Sequence, residues 1–256
     1  MISSLLSVST ARLQMQFRDD SLQKPTNLAI GTGFFWRTSR EILLITNLHN
    51  VTGKHPDTGA FLSDHNGIPN YIVGSFSYVS ATNQIISYNF ELPLHDGGGK
   101  PTWLEHKTKK VDITAIVFSV VEESGKIVCA NDIVADMLLE VAQDVFVLGY
   151  PKNISVQNFP IWKRASVASE PALNAYQDQP TIFIDTATKD GMSGSPVFAV
   201  SRGTFYRTET NPSISKMGGG ENFIGIYSGR LGVDPLEAQL GIVWKKVLIE
   251  EILKDF

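Results

Sequence analysis

A chain of 256 residues, 43% hydrophobic and 19% charged, is sized for one large domain or two small ones around a shared core. Its net charge of −4 leaves no electrostatic footprint for nucleic acid or for an anionic membrane surface. The single cysteine, Cys129, excludes an internal disulfide, and its setting in "KIVCA" reads as a buried small side chain rather than a reactive thiol.

The first segment, "MISSLLSVSTARLQMQF", has neither the basic start nor the continuous apolar stretch of a signal peptide. No apolar run approaches the roughly 18 residues of a membrane-spanning helix, so the expected location is cytoplasmic. Short β-branched and aromatic runs then follow one another, punctuated by turn residues. Those at 41–46, 70–80, 84–92, 111–121, 144–151, 181–187, 195–200 and 222–229 are predicted strands. "HDGGGKP" at 95–101 is a predicted surface loop, and 201–222 a second loop or a hairpin. Helical spacing emerges only at the end, where Trp244, Leu248 and Ile252 recur every fourth residue. Short strands closed by one helix predict an all-β sandwich or barrel. The expected halves are 1–124 and 125–256, dividing near 122–125.

The most informative stretch is "TKDGMSGSPVF" at 188–198, where Gly191 and Gly194 flank Ser193. A turn that only reverses the chain needs one glycine, and two suggest backbone that another group must approach closely. A serine hydroxyl attacks a carbonyl only when a base takes its proton and donors await the oxyanion. The amides of Gly191 and Ser193 could be those donors, although a plain glycine-serine hairpin turn reads the same. It is not the nucleophile elbow of an α/β-hydrolase, because position 195 is Ser and no strand–helix alternation surrounds it.

A base should be a histidine. His55, His65, His95 and His106 sit in polar, turn-rich surroundings and read as solvated. His49 follows the apolar run "LLIT", which could deliver an imidazole at the lip of the core or bury a structural histidine there. A carboxylate should orient the imidazole. Asp112 opens "VDITAIVF", where a carboxylate beside apolar residues needs partners, unless it is a strand-start turn residue. Asp132, Asp136 and Asp144 have polar neighbours that let them face water.

In the order His, Asp, Ser these segments resemble the trypsin/chymotrypsin-like serine peptidases. "TNLHNV" is similar to the family's histidine segment, "DITAIVF" to its aspartate strand and "GMSGSPVF" to its serine loop. "NFIGIYSG" is similar to the strand that pairs with the substrate backbone. The likeness is especially to the bacterial high-temperature-requirement branch, and the serine loop is also similar to that of the glutamyl endopeptidases. The resemblance implies two perpendicular antiparallel β-barrels with a C-terminal helix and a cleft between them. It implies a triad of Ser193, His49 and Asp112, an oxyanion hole at the amides of Gly191 and Ser193, and a polypeptide substrate. Met192 stands where the family usually has Asp or Asn, so no activation through a new N-terminal amine is expected. Asp112 follows His49 by 63 positions, a longer gap than in the high-temperature-requirement branch.

The same alignment places Ala187 at the floor of the primary pocket and Thr188 on its wall, with Tyr227, Ser228, Gly229 and Arg230 along the cleft strand. Tyr227 stands where the glutamyl endopeptidases carry a histidine. With no carboxylate in the pocket, cleavage after uncharged residues is the expectation. Two other readings stay open: a silent member of the fold that binds peptides, and a triad that hydrolyses small esters. "GGGK" at 97–100 lacks the spacing of a phosphate loop, and "HPD" at 55–57 lacks the helices of a co-chaperone. No Cys–His cluster has metal-ligand spacing, so neither metal nor cofactor is expected.

Overall fold

The computed structural model describes residues 4–19, 21, 24–63, 67–108, 110–118, 125–231, 239–254 and 256. Eight strands build a first sheet: β1 (Thr10–Phe17), β2 (Thr26–Arg37), β3 (Ile42–Thr46), β4 (Tyr71–Ser80), β5 (Ile85–Pro93), β6 (Trp103–Glu105), β7 (Thr114–Val117) and β8 (Gly125–Lys126). Their order is β5-β4-β1-β2-β3-β7-β6, with β8 beside β4. Six more form a closed barrel: β9 (Asp144–Gly149), β10 (Ile161–Val167), β11 (Thr181–Asp185), β12 (Pro196–Arg207), β13 (Ser215–Arg230) and β14 (Leu240–Lys245). Every pairing within these strands is antiparallel, and a short helix, α2 (Val247–Leu253), follows β14. This is the two-part, chymotrypsin-like β architecture that the resemblance implies.

Three cores hold it together. One lies inside each half: Leu13, Phe35, Leu44 and Phe76 in the first, Val145, Ile184, Val197 and Val243 in the second. The third draws Phe34, Ile45 and Ile113 from the first half, Phe198, Phe223 and Trp244 from the barrel, and Leu248 and Ile249 from α2. Strand alternation explains the division. Phe34 and Phe35 are adjacent on β2, so one faces the junction and the other its own half. Because burying apolar area drives association, the junction core fixes the two halves together and with them the cleft.

Several expectations change. The division expected at 124/125 abuts residues outside the described ones. Gly125–Lys126 still pairs with β4, and the barrel's first strand begins at Asp144. The stretch 201–222, by contrast, takes one of its two expected forms, a hairpin whose strands run to Arg207 and restart at Ser215. Trp244 belongs to β14 rather than to the terminal helix, which begins at Val247. His106 is not free in solvent, since its Nε2 meets Glu251 Oε2 of α2 at 3.0 Å. His65 lies outside the described residues. Among the described residues no helix is long and apolar enough to cross a membrane.

Candidate active site

His49 owes its place to a single helical turn. After β3, Asn47 keeps an extended backbone and α1 (Leu48–Thr52) begins; Gly53 ends it in the left-handed region, at φ 67°. Val51, on the helix's inner side, is buried in the first-half core, which seats the turn and sets His49 at the cleft. Asp112 stands two residues before β7 and is buried. Its carboxylate is nonetheless well supplied. Oδ1 accepts the His49 amide at 2.9 Å, Oδ2 lies 2.7 Å from His49 Nδ1, and Ser228 Oγ donates to Oδ2. The Asp112 carbonyl accepts from Asn47 Nδ2 at 2.6 Å. A buried charge is tolerable only with such partners. Because Nδ1 is held by a carboxylate, the imidazole carries its proton there and presents Nε2 as an acceptor. The competing aspartates are engaged elsewhere: Asp132 with Arg37, Asp136 with Thr210 and Asp144 with Arg164.

Ser193 sits in a turn with two left-handed glycines, Gly191 at φ 91° and Gly194 at φ 86°. A Cβ on Gly191 would lie 2.4 Å from the Tyr150 carbonyl, and one on Gly194 would lie 2.0 Å from that of Thr32. The close approach read from the two glycines is therefore made by backbone of both halves. Ser193 and His49 line the same two recesses of the cleft. In this structure the Ser193 hydroxyl donates to Ser228 O at 3.1 Å.

The carbonyls around the serine are all occupied. Asp190 O accepts from Lys152 N at 2.6 Å, Gly191 O from Thr32 Oγ1 at 2.7 Å, and Met192 O from Ser195 N at 3.0 Å. Ser193 O accepts from Thr32 N at 2.8 Å. In a trans peptide the N–H points opposite its carbonyl, so the amides of Gly191 and Ser193 are turned away from these partners. Among the described residues neither amide donates a hydrogen bond. Two free N–H groups beside one hydroxyl are what a developing oxyanion requires.

The end of β13 completes the cleft. Gly229 and Arg230 pair with β14, a bulge isolates Ser228, and the pairing of β13 with β12 stops at Ile226. The other edge of Ser228–Arg230 is thus unpaired by strands and borders a recess of about 460 Å³ shared with His49 and Ser193. Across it, Tyr176 OH donates to Asp57 Oδ2 at 2.8 Å, joining loops from the two halves.

The expected primary pocket is different from its sequence-based placement. Ala187 is exposed and lines neither recess. Thr188 and Tyr227 are buried and joined hydroxyl to hydroxyl. The Tyr227 ring lies over Gly241, beside Ile184 and Thr186, because its register partner Val243 faces the barrel interior. Burial pushes its hydroxyl up to about 12. Ser228, Gly229 and Arg230 do line the cleft. Sequence reading missed Thr32, Asn50 and Ser228's hold on Asp112. The only trace of Thr32 was the stretch "GTGFF", and Asn50 follows directly after His49.

Comparison with curated proteins finds no match. The family model described as a trypsin-like peptidase domain matches residues 31–206, which include His49, Asp112 and Ser193. With that match over more than half of its length, the chain belongs to the trypsin-like peptidase family.

Proposed function

We propose that this protein is a serine endopeptidase in which Ser193 is the nucleophile, His49 the general base and acid, and Asp112 the orienting carboxylate. The observation that carries this reading is the buried Asp112 carboxylate. It holds both the amide and Nδ1 of His49, while Ser193 shares His49's cleft beside two unused amides. An extended peptide adds to the unpaired edge at Ser228–Arg230, as chains add to other open strand edges. The Ser193 hydroxyl then leaves Ser228 O, turns to His49 Nε2 and attacks the scissile carbonyl as the imidazole takes its proton. Ser228 O, released, accepts a substrate amide. The oxyanion is received by Gly191 N and Ser193 N.

Collapse breaks the C–N bond, and His49 returns the proton to the leaving amine. Water, deprotonated by the same imidazole, hydrolyses the acyl-enzyme and restores Ser193. The histidine, aspartate and serine segments resemble those of the high-temperature-requirement branch, and the serine loop also resembles that of the glutamyl endopeptidases. A fluorophosphonate probe should label Ser193, and Ser193→Ala should lose both labelling and peptide hydrolysis. A pure wild-type protein that stays unlabelled and inert on a diverse peptide library would overturn the proposal in favour of a peptide-binding module.

A further inference from the structure

We propose that Thr32 is a positioning residue that sets the oxyanion hole from the opposite half of the molecule, an inference that rests on the serine-peptidase reading. Thr32 is completely buried on β2, and its position there is open on one side, because β2 pairs with β3 only from Phe34 onward. The serine loop docks on that open edge. Thr32 N donates to Ser193 O at 2.8 Å, and Thr32 Oγ1 donates to Gly191 O at 2.7 Å. The same hydroxyl accepts Tyr150 N at 3.2 Å, and Thr32 O accepts Thr46 Oγ1 at 2.8 Å. Asn50 Nδ2 reinforces the dock, reaching Thr46 Oγ1 at 2.9 Å and Ser193 O at 3.3 Å.

Gly191 is the residue that needs such a hold. With φ at 91° and no side chain its backbone can rotate, and a turned Asp190–Gly191 peptide would point the Asp190 carbonyl where the oxyanion must sit. Both peptides flanking it are clamped from the neighbouring segment or sheet. Lys152 N takes Asp190 O, and Lys152 itself adopts a left-handed φ of 49° to do so. Thr32 Oγ1 takes Gly191 O. A valine would fill the same volume on β2, so burial alone does not call for a hydroxyl. An unbonded one would be destabilising, and this one is used by two backbone groups of the serine-loop assembly.

The test compares Thr32→Val, Thr32→Ser and Thr32→Ala in the full chain, by steady-state kinetics on a peptide ester, by inhibition with a peptide aldehyde, and by thermal melting. Thr32→Val should lower kcat about 10- to 100-fold with KM changed less than about threefold, since misplacing one transition-state donor leaves ground-state binding alone. Aldehyde affinity should fall in parallel with kcat/KM, and Thr32→Ser should stay near wild type. If the valine variant does not fold, Ser and Ala decide, because each lacks the methyl and they differ in the hydroxyl. Equal turnover in Thr32→Ser and Thr32→Ala, or a folded Thr32→Val at wild-type kcat, overturns the proposal while leaving the peptidase reading intact. An inert wild type overturns both.

Discussion

Ser228 donates its hydroxyl to the carboxylate of Asp112, 116 positions earlier in the chain and in the other half of the molecule. The bulge between Tyr227 and Gly229 makes this possible, since a regularly paired residue would keep its side chain on one face of the barrel wall. Removing this donor leaves Asp112 with its two bonds from His49, so the imidazole stays oriented while a buried charge loses one partner. Ser228→Ala should therefore destabilise the fold by about 1–3 kcal/mol and reduce kcat more mildly than loss of the carboxylate itself. Urea unfolding and kinetics on the purified variant measure both. A variant as stable as wild type would mean that water replaces the hydroxyl.

Asp112→Asn tests the carboxylate itself. An amide offers one acceptor oxygen, and that oxygen suits the His49 amide; the NH2 group then faces both Nδ1 and the Ser228 hydroxyl. Nδ1 is forced to accept, the proton moves to Nε2, and His49 can no longer take the serine's proton. Turnover should fall by roughly 10⁴ with the fold retained, the order found when a triad's tautomer is reversed. Near-normal turnover in a folded Asp112→Asn protein would show that His49 needs no orienting carboxylate.

The cleft residues that could be read in advance are those that end apolar runs. His49, Asp112 and Ser193 each sit where a hydrophobic segment meets polar residues, and the chain's order suffices to connect them. Thr32, Asn50 and Ser228 carry no such mark, because their partners at the serine loop and the triad carboxylate lie more than 100 positions away. The same contrast holds for strands. Segments 41–46 and 144–151 are rich in aliphatic and aromatic residues, whereas Gly31 and Gly33 interrupt β2 and Arg12, Gln14 and Gln16 dilute β1. The 201–222 hairpin is ambiguous with a loop in sequence for a further reason. Beyond the barrel it is a two-stranded ribbon whose side chains, Phe205 and Met217 among them, face solvent and need no alternation.

Two buried tyrosines predict alkaline behaviour. Burial pushes the hydroxyls of Tyr150 and Tyr227 up to about 12, against an ordinary tyrosine value near 10. A raised folded-state value means that the stabilisation is complete below pH ~10 and is lost as pH climbs toward 12, each tyrosine contributing on the order of 2 kcal/mol. Urea midpoints should fall steeply over that window. Tyr227→Phe should flatten the fall, while costing about 1 kcal/mol at neutral pH through loss of the Thr188 bond. A pH slope unchanged by Tyr227→Phe would show that this phenol ionises as easily folded as unfolded.

The last prediction concerns which residue precedes the cleaved bond. The buried pair of Thr188 and Tyr227 lines neither recess that holds Ser193, so among the described residues no deep side-chain pocket opens there. The Tyr227 ring already fills the space over Gly241, so there is little room for a large side chain and no counter-charge from Ala187 or Thr188 for a lysine or arginine. Cleavage should fall after small uncharged residues such as Gly, Ala and Ser. Tyr227→Val removes most of the ring while keeping an apolar wall, so it should admit Leu and Met, the preference moving by about 1–3 kcal/mol for the larger side chains. Sequencing the products of a diverse peptide mixture, for wild type and variant, measures the shift. Dominant wild-type cutting after Glu or Asp would refute this reading and turn attention to Arg230, which borders the cleft. Cutting after Phe, Lys or Arg would show that the ring moves aside when substrate binds.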